Sequence, residues 1–500
     1  LPETLDSLNS PPSLALPNQP DQVRIREFRP LTLSQFEQLA EVNNADLKAA
    51  ALEVQQAKSS LRAAISTWYP TLNLRASGLP QYLVGEQQVF DPSRTGTVNP
   101  MTGLEEEEGR LTSTEVSSAN FAAQFNWNLI DPSRVPEIAA ARDTFERTRD
   151  AYLIALRDLR LTASKSYFNL QRFDESVNVG KQSVISSLIS LRDARARYQA
   201  GVANKLEVLE AETQLALDQD LLTDNLNEQR KARRAMARLA NLPQDITPTA
   251  ASPAMVVGVW KPSLEESIIA AYAFREELDQ FLLDISINNS KANAALAAVQ
   301  PVLGIFNNFS TQSFNGETNA EPPVDSEING WSFDNSVGLS ATWNIFDGGK
   351  ARAEYRRQKQ AAEASAYDFS TRRGLIRFEV EESFYDLRAT QQDIRTTSRE
   401  ILSQREALRL ARLRFQAGVA TQREVVDNQR DLTRAQLRYV TAIADYNISL
   451  AELRRRTGLD QVASCSAIDL PAEKSQFSAP EEVQIKPTPN IPACQASLLG

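Results

Sequence analysis

The 500-residue chain has no histidine, only two cysteines and no run of about 18 apolar residues. The first absence excludes His-dependent catalytic triads and the usual zinc sites, and two cysteines make a poor metal set. The third excludes a membrane-spanning helix, so any membrane role must use strands. No Lys/Arg block stands out, and the net charge is -10 at pH 7. That sign and spread argue against nucleic acid or an anionic bilayer as a partner held by bulk charge. Cys465 and Cys494 both lie in a Pro/Ser-rich tail. A disulfide formed in an oxidising compartment and two unpaired thiols both fit them. The amino terminus, Leu1-Pro2-Glu3-Thr4, lacks a basic, apolar leader. This suits a cytosolic chain or a secreted one whose signal peptide has been removed.

What is present is said twice. Arg197-Tyr198-Gln199-Ala200-Gly201-Val202-Ala203 returns as Arg414-Phe415-Gln416-Ala417-Gly418-Val419-Ala420, an offset of 217 that also relates Leu191 to Leu408 and Leu242 to Leu459. Upstream, Trp127-Asn128-Leu129-Ile130-Asp131 matches Trp343-Asn344-Ile345-Phe346-Asp347 at 216, and Leu33, Leu47 and Pro70 match Leu264, Leu278 and Pro301 at 231. The chain is an internal duplication, and matching spans require matching structures.

Each half reads in the same order. From Leu33 to Trp68 the Ala/Leu/Gln/Glu-rich pattern predicts one helix, ended by Tyr69-Pro70. Leu72, Leu74 and Ala76 then alternate with polar residues, as in a half-apolar strand over about 70–84. A polar loop is expected over 85–111; its Glu105 to Glu108 run suits either a solvated loop or a cation-attracting one. The next strand, about 113–130, puts Phe121, Ala123, Phe125, Trp127 and Leu129 on one face; its counterpart, about 331–346, carries Val337, Leu339, Ala341, Trp343 and Ile345. Tryptophan falls at the same end of both, as an interfacial aromatic girdle requires. The remaining strand of the second half is expected near 301–314.

Asp131-Pro132 reads as an N-cap followed by proline at the first helical position. No proline occurs between Pro136 and Pro243 or between Pro323 and Pro471. A helix from Pro132 to Gln199 would reach roughly 100 Å at 1.5 Å per residue. Gly201 and Gly418 interrupt these stretches once per half, which predicts helical hairpins over 132–242 and 350–458 with tips near 198–204 and 415–421. Beyond the second tip, Leu432, Ala435, Tyr439, Ala442, Tyr446, Ser449 and Leu453 keep 3-4 spacing, a seam for neighbouring helices. Asp347-Gly348-Gly349-Lys350 lacks the upstream glycine spacing of a phosphate loop and reads as a strand-to-helix turn. No catalytic constellation and no cofactor site emerge.

Four amphipathic strands cannot close a membrane barrel, and rods of this length cannot bury an apolar seam alone, so copies must associate. The duplication, the helix-strand-strand-helix-helix order, Trp343 to Gly349 and the paired Ala-Gly-Val turns resemble the TolC family of outer-membrane efflux ducts over nearly all of residues 31–460. The resemblance implies a mainly α protein with membrane β-structure: a homotrimer whose twelve-stranded β-barrel continues into a long periplasmic α-helical barrel. It implies an N-terminal extension (1–30), repeats at 31–242 and 264–460, an equatorial linker (243–263) and a tail (461–500), with the signal peptide already removed. It also implies a periplasmic adaptor and an inner-membrane ABC or proton-driven pump, as in tripartite efflux or type I secretion.

By the same resemblance Gly201, Val202, Gly418 and Val419 contact the adaptor, although glycine there also simply permits a left-handed turn. Glu424 and Asp427, with Glu207 and Glu210 in the first half, would form acidic constriction rings; a solvated acidic face is the plain alternative. Tyr198, Phe415, Arg423 and Lys205 would gate the tip. The family's latch arginine falls at Ala420, so Arg423 or Lys205 would have to substitute. Trp127, Phe125, Phe121 and Trp343 would face lipid. Two rival functions fit parts of the pattern: a soluble coiled-coil scaffold and an autonomous porin.

Overall fold

The computed structural model describes residues 16–25, 27–90, 100–101, 109–320 and 326–461. Glu105 to Glu108 and both cysteines lie outside the described residues. In chain order the elements of the first half are β1 (Glu27–Leu31), α1 (Leu33–Asn43), α2 (Ala45–Ile65), β2 (Thr71–Phe90), β3 (Gly109–Ile130), α3 (Arg134–Gln199), α4 (Lys205–Leu239) and β4 (Ile246–Ala250). Those of the second are α5 (Leu264–Phe274), α6 (Glu276–Ala297), β5 (Val302–Ala320), β6 (Ser326–Thr342), α7 (Lys350–Gln416) and α8 (Gln422–Thr457). Contacts divide the chain into two units: Ser59–Arg142 with Ile287–Ala361, and the remainder.

The first of these units carries an antiparallel sheet in the order β2-β3-β5-β6. Its strands outrun the expected ones. β2 and β3 pair as far as Phe90 and Gly109, deep into the segment expected to be loop. The alternation fades there while the backbone ladder continues, because polar pairs fall on both faces, Gln87 with Thr112 on one and Glu86 with Ser113 on the other. β6 stops at Thr342, before Trp343, rather than at 346. Both tryptophans end the same way: the Trp127 indole N–H donates to the Trp68 carbonyl at 3.0 Å, and that of Trp343 to the Val299 carbonyl at 3.0 Å. The repeat offsets relate these two pairs to each other. Gly338 and Gly330 sit opposite Phe306 and Phe314, whose rings cover them so closely that a Cβ would come within 2.9 and 2.8 Å of ring carbon. The aromatic ring supplies the packing that glycine lacks.

Each long helix of this unit opens beneath an aspartate. The Asp131 carboxylate accepts from the Ser133 N–H at 3.1 Å and its hydroxyl at 2.8 Å, so α3 begins at Arg134 and Pro132 lies in the turn rather than at the first helical position. Asp347 accepts from the N–H groups of Ala351 (2.6 Å) and Gly349 (2.8 Å), bonds that hold its carboxyl below the usual aspartate range.

In the helical unit the duplication reaches the core. Ala40, Leu47, Leu159, Ala163, Tyr167, Leu170 and Met236 are buried together, and so are Ala271, Leu278, Ile376, Val380, Phe384, Leu387 and Leu453, their partners at offsets of 231 and 217. β1 and β4 pair in parallel from Glu27↔Ile246 to Leu31↔Ala250, so the inter-repeat linker is stitched to the first described strand. Of the seven seam residues on α8, all are buried except the half-buried Tyr439.

The expected single helix from Leu33 to Trp68 is broken at Asn44, and the second repeat is broken at the equivalent Arg275. The first break is sealed neutrally: the Asn44 side chain accepts the Leu47 N–H at 2.9 Å and donates to the Leu239 carbonyl at 3.0 Å. The second is sealed by charge. Arg275, 1 % exposed, donates to Glu277 at 3.0 Å and to Glu379 at 2.6 Å; Arg455 reaches Glu277 at 2.9 Å and Asp158 at 2.8 Å; Arg157 engages Glu276 and Asp460. Burial alone would raise the Glu277 carboxyl, but the hydrogen bonds from Arg275 and the charge of Arg455 prevail and hold it well below its ordinary range. Asp150, by contrast, is pushed up to about 7 by burial and then by Asp279, Glu276 and Glu146.

The depressed Glu277 contributes stability that is complete above the ordinary carboxylate range and is lost as pH falls below it. The raised Asp150 does the reverse: its contribution is present in acid and is lost as pH climbs towards about 7. In thermal unfolding across pH, Glu277→Gln is expected to weaken the unit by roughly 3–5 kcal/mol at neutral pH and to flatten the acid limb. Asp150→Asn should raise the midpoint at mildly alkaline pH and remove the decline between the ordinary aspartate range and neutrality. An Asp150→Asn curve parallel to the parent's would refute the second assignment.

Candidate functional site

The two hairpin turns have one geometry. Gly201 has φ 75° and Gly418 φ 76°. In each turn the glycine N–H donates to the residue three back (Tyr198, Phe415) and the following valine N–H to the residue five back (Arg197, Arg414), all at 3.0 Å, which is the Schellman closure of a helix. A Cβ at either glycine would meet nothing within 4 Å, so backbone sign alone demands glycine. Val202 and Val419 follow, 64 % and 66 % exposed. Each return helix is then capped: the Asn204 side chain accepts the Glu207 N–H at 3.0 Å, and the Thr421 hydroxyl accepts the Glu424 N–H at 3.4 Å. Glu207 and Glu424 therefore occupy first turns, where a carboxylate also answers the helix dipole.

Beyond this shared frame the hairpins differ. Glu424 pairs with Arg414 across the turn at 3.0 Å, and Asp427 pairs with Arg430 at 3.2 Å and, more distantly, with Arg423 at 3.8 Å. Asp431 continues the ladder to Arg434 at 3.5 Å. Glu207 and Glu210 make no such pairs among the described residues, and neither does the exposed Lys205. The positions that answer Arg423, Arg430 and Arg434 in the first hairpin are Leu206, Thr213 and Leu217. Tyr198 stands half exposed, whereas Phe415 lies 4.2 Å beneath the Arg197 guanidinium. Arg197 and Arg414 head the duplicated heptapeptide, so the repeat itself signalled them; their unequal use, one stacked and one paired, left no trace in it.

The hairpins meet through small and polar side chains. Gln422 donates to the Ser190 hydroxyl at 2.6 Å and the Ser183 and Thr433 hydroxyls lie 3.1 Å apart, while within the first hairpin Asp218 accepts from Ser187 and from Gln214. Apolar contact is confined to short clusters, Leu408, Ala411, Val425 and Leu432 on one hairpin and Leu191, Ala194 and Ala211 on the other. A cavity of about 540 Å³ remains between them, lined by Arg197, Phe415, Gln422 and Gln214 among others. This packing holds the helices by direction-specific hydrogen bonds more than by a greasy seam. Among the described residues no group of His, Cys, Asp and Glu could hold a metal ion.

In the sheet unit, register sorts the side chains into two faces. Leu72, Phe125, Val337 and Phe121 share a face with Leu74, Phe309, Trp127, Leu339 and Phe333. Val337 and Leu339 are 69 % and 80 % exposed, so this apolar face is open in the single chain. The opposite face presents Asn73, Gln124, Asn308 and Ser336. No described helix is long and apolar enough to cross a membrane, a statement that concerns helices alone. Trp127 and Trp343 spend their indole N–H groups on backbone carbonyls, which fixes the strand ends.

Residues 37–242 and 270–459 match the outer membrane efflux protein family. The pyoverdine export outer membrane protein OpmQ of Pseudomonas putida is 23% identical over 423 residues, 83% of each chain. The solved structure of CusC superposes with a TM-score of 0.65 at 18% identity, covering 89% of this chain and 99% of that one. The CmeC outer membrane channel of Campylobacter jejuni gives 0.63 at 15% identity, covering 89% and 94%. With its duplicated halves both matched, the chain belongs to the outer membrane efflux protein family, and its fold is that of the family's TolC-like channels.

Proposed function

We propose that three copies of the chain close a twelve-stranded barrel in the outer membrane and form, with their helical units, a passive exit duct served by a periplasmic adaptor and an inner-membrane pump. One observation carries this reading: a four-stranded sheet with one largely apolar face pairs on one side only at β2 and at β6 among the described residues. In hydrocarbon each unpaired backbone group costs several kcal/mol, so the edges must find partners, and identical copies offer β2 to β6 around a ring. Cargo and energy come from the partners. OpmQ is named for pyoverdine export; the relationship supports an export role for this chain and leaves the cargo to its pump. The porin alternative is disfavoured by the hairpins, whose exposed valines on glycine turns have the form of a docking tip.

Detergent-solubilised protein is expected to have a protein mass three times the 55.5 kDa chain; a monodisperse monomer would refute the shared barrel. Val202→Asp with Val419→Asp should leave that mass and the helical content unchanged while abolishing adaptor capture. Gly418→Ala should cost the turn roughly 1–2 kcal/mol. Adaptor binding undiminished by the paired aspartates would remove the tip from the docking surface.

A further inference from the structure

The two hairpin ends are matched in backbone and unequal in charge. Over residues 188–217 the first carries Arg192, Arg195, Arg197 and Lys205 against Asp193, Glu207, Glu210 and Glu212, a balance of zero. Over the equivalent 405–434 the second carries seven arginines, at 405, 409, 412, 414, 423, 430 and 434, against Glu406, Glu424, Asp427 and Asp431. The second end is thus cationic by three, in a chain whose net charge is -10.

Geometry decides which arginines are in excess. Glu406 is taken by Arg409 at 2.6 Å, Glu424 by Arg414 at 3.0 Å, Asp427 by Arg430 at 3.2 Å and Asp431 by Arg434 at 3.5 Å. Among the described residues that leaves Arg405 and Arg412 without a carboxylate and Arg423 with only a 3.8 Å share of Asp427. Arg412 donates to the neutral Gln429 amide at 3.0 Å, and all three side chains are exposed. Arg405, Arg409 and Arg412 line an open groove of about 490 Å³ in which Glu406 is the sole carboxylate among the lining residues. A concave surface walled by one sign of charge focuses the field and concentrates the opposite ion.

We infer that the end of the second hairpin makes the entrance of the duct anion-preferring, selecting cargo that carries carboxylate, phosphate or sulfonate groups, with Arg405, Arg412 and Arg423 as the residues responsible. This rests on the duct reading above, because only a ring of copies turns three arginines per chain into a positively charged mouth. Glu424 and Asp427 then serve the hairpin as ion-pair partners, and the ring they form is already neutralised by Arg414 and Arg430.

Two measurements on the intact detergent-solubilised protein separate this inference from the duct reading. Fluorescence polarisation with the trisulfonated dye pyranine at low salt needs no open channel. The parent should bind it in a salt-sensitive way, and Arg405→Gln/Arg412→Gln/Arg423→Gln should bind roughly tenfold more weakly, the low end of what a focused field achieves. Absent binding, or equal binding by the triple variant, overturns the inference. Planar-bilayer recording under a KCl gradient supplies the second measurement. Chloride preference in the parent that moves towards potassium in the triple variant supports the inference. Potassium preference in the parent overturns it and leaves the duct standing. A trimer that conducts neither alone nor with its adaptor bound overturns the duct reading, and the inference with it.

Discussion

The fold depends on one constraint: an amide or carbonyl left unpaired in hydrocarbon cannot be offset by anything else the sheet does. In water, an edge strand is best tolerated when it is short. β2 and β6 run 20 and 17 residues, and the sheet face they border leaves Leu72, Leu74, Val337 and Leu339 exposed. Such a sheet has a solvent only in lipid, and the proposed ring of copies would close its ladder. As an outer-membrane efflux duct, the chain therefore carries its assembly rule in its strands. The polar opposite face, lined by Asn73, Gln124, Asn308 and Ser336, is what a wet interior requires.

The helical unit meets a different problem with different means. The two long helices run 66 and 67 residues. The chain divides the task of packing them. Near the turns, hydroxyls and amides such as Ser183, Ser190, Gln422 and Thr433 hold the hairpins together, contacts that have direction and little grease. Farther along, the paired clusters around Tyr167 and Phe384 supply ordinary burial. The charged network around Arg275 and Glu277 ties α3, α5, α6, α7 and α8 together at one point. Buried ion pairs of this kind contribute less to net stability than to uniqueness, since any alternative packing would strand a charge.

Much of this was legible before any coordinates. The offsets of 231, 216 and 217 anticipated the paired cores, and Gly201 and Gly418 marked turns that do require a left-handed residue. Alternation found the strands wherever one face was apolar. It failed beyond Val84 and before residue 113, where polar residues fall on both faces and the backbone ladder persists without an alternating pattern. The break at Asn44 was missed because asparagine is tolerated inside helices and its capping role depends on the distant Leu239 carbonyl. β1 and β4 were missed because a five-residue parallel pair has no local signature. At the tips, Glu424, Asp427, Phe415 and Arg423 could be named from sequence and the repeat singled out Arg197 and Arg414, but which group each arginine engages, Glu424 across the turn or Phe415 on the other hairpin, could not, since that is a matter of rotamer and distance.

Where the halves differ is as informative as where they agree. Duplication hands both copies the same backbone problem, and selection on packing keeps both solutions: equivalent core residues, equivalent glycines, equivalent tryptophan hydrogen bonds. Charge is under no such restraint on an exposed helix, where a single surface pair is worth at most about 1 kcal/mol. The arginine ladder of α8 faces Leu206, Thr213 and Leu217 at the same positions of α4, and Arg275 faces Asn44. Stability cannot account for the first contrast, because each pair in the ladder is solvent-exposed and weak. A long-range field can, because it depends on net charge and not on the strength of any pair, and it acts on whatever approaches the tip. The second contrast is buried and acts on packing, so the two asymmetries belong to different pressures: one sets what approaches the hairpins, the other anchors the second repeat at its helix break.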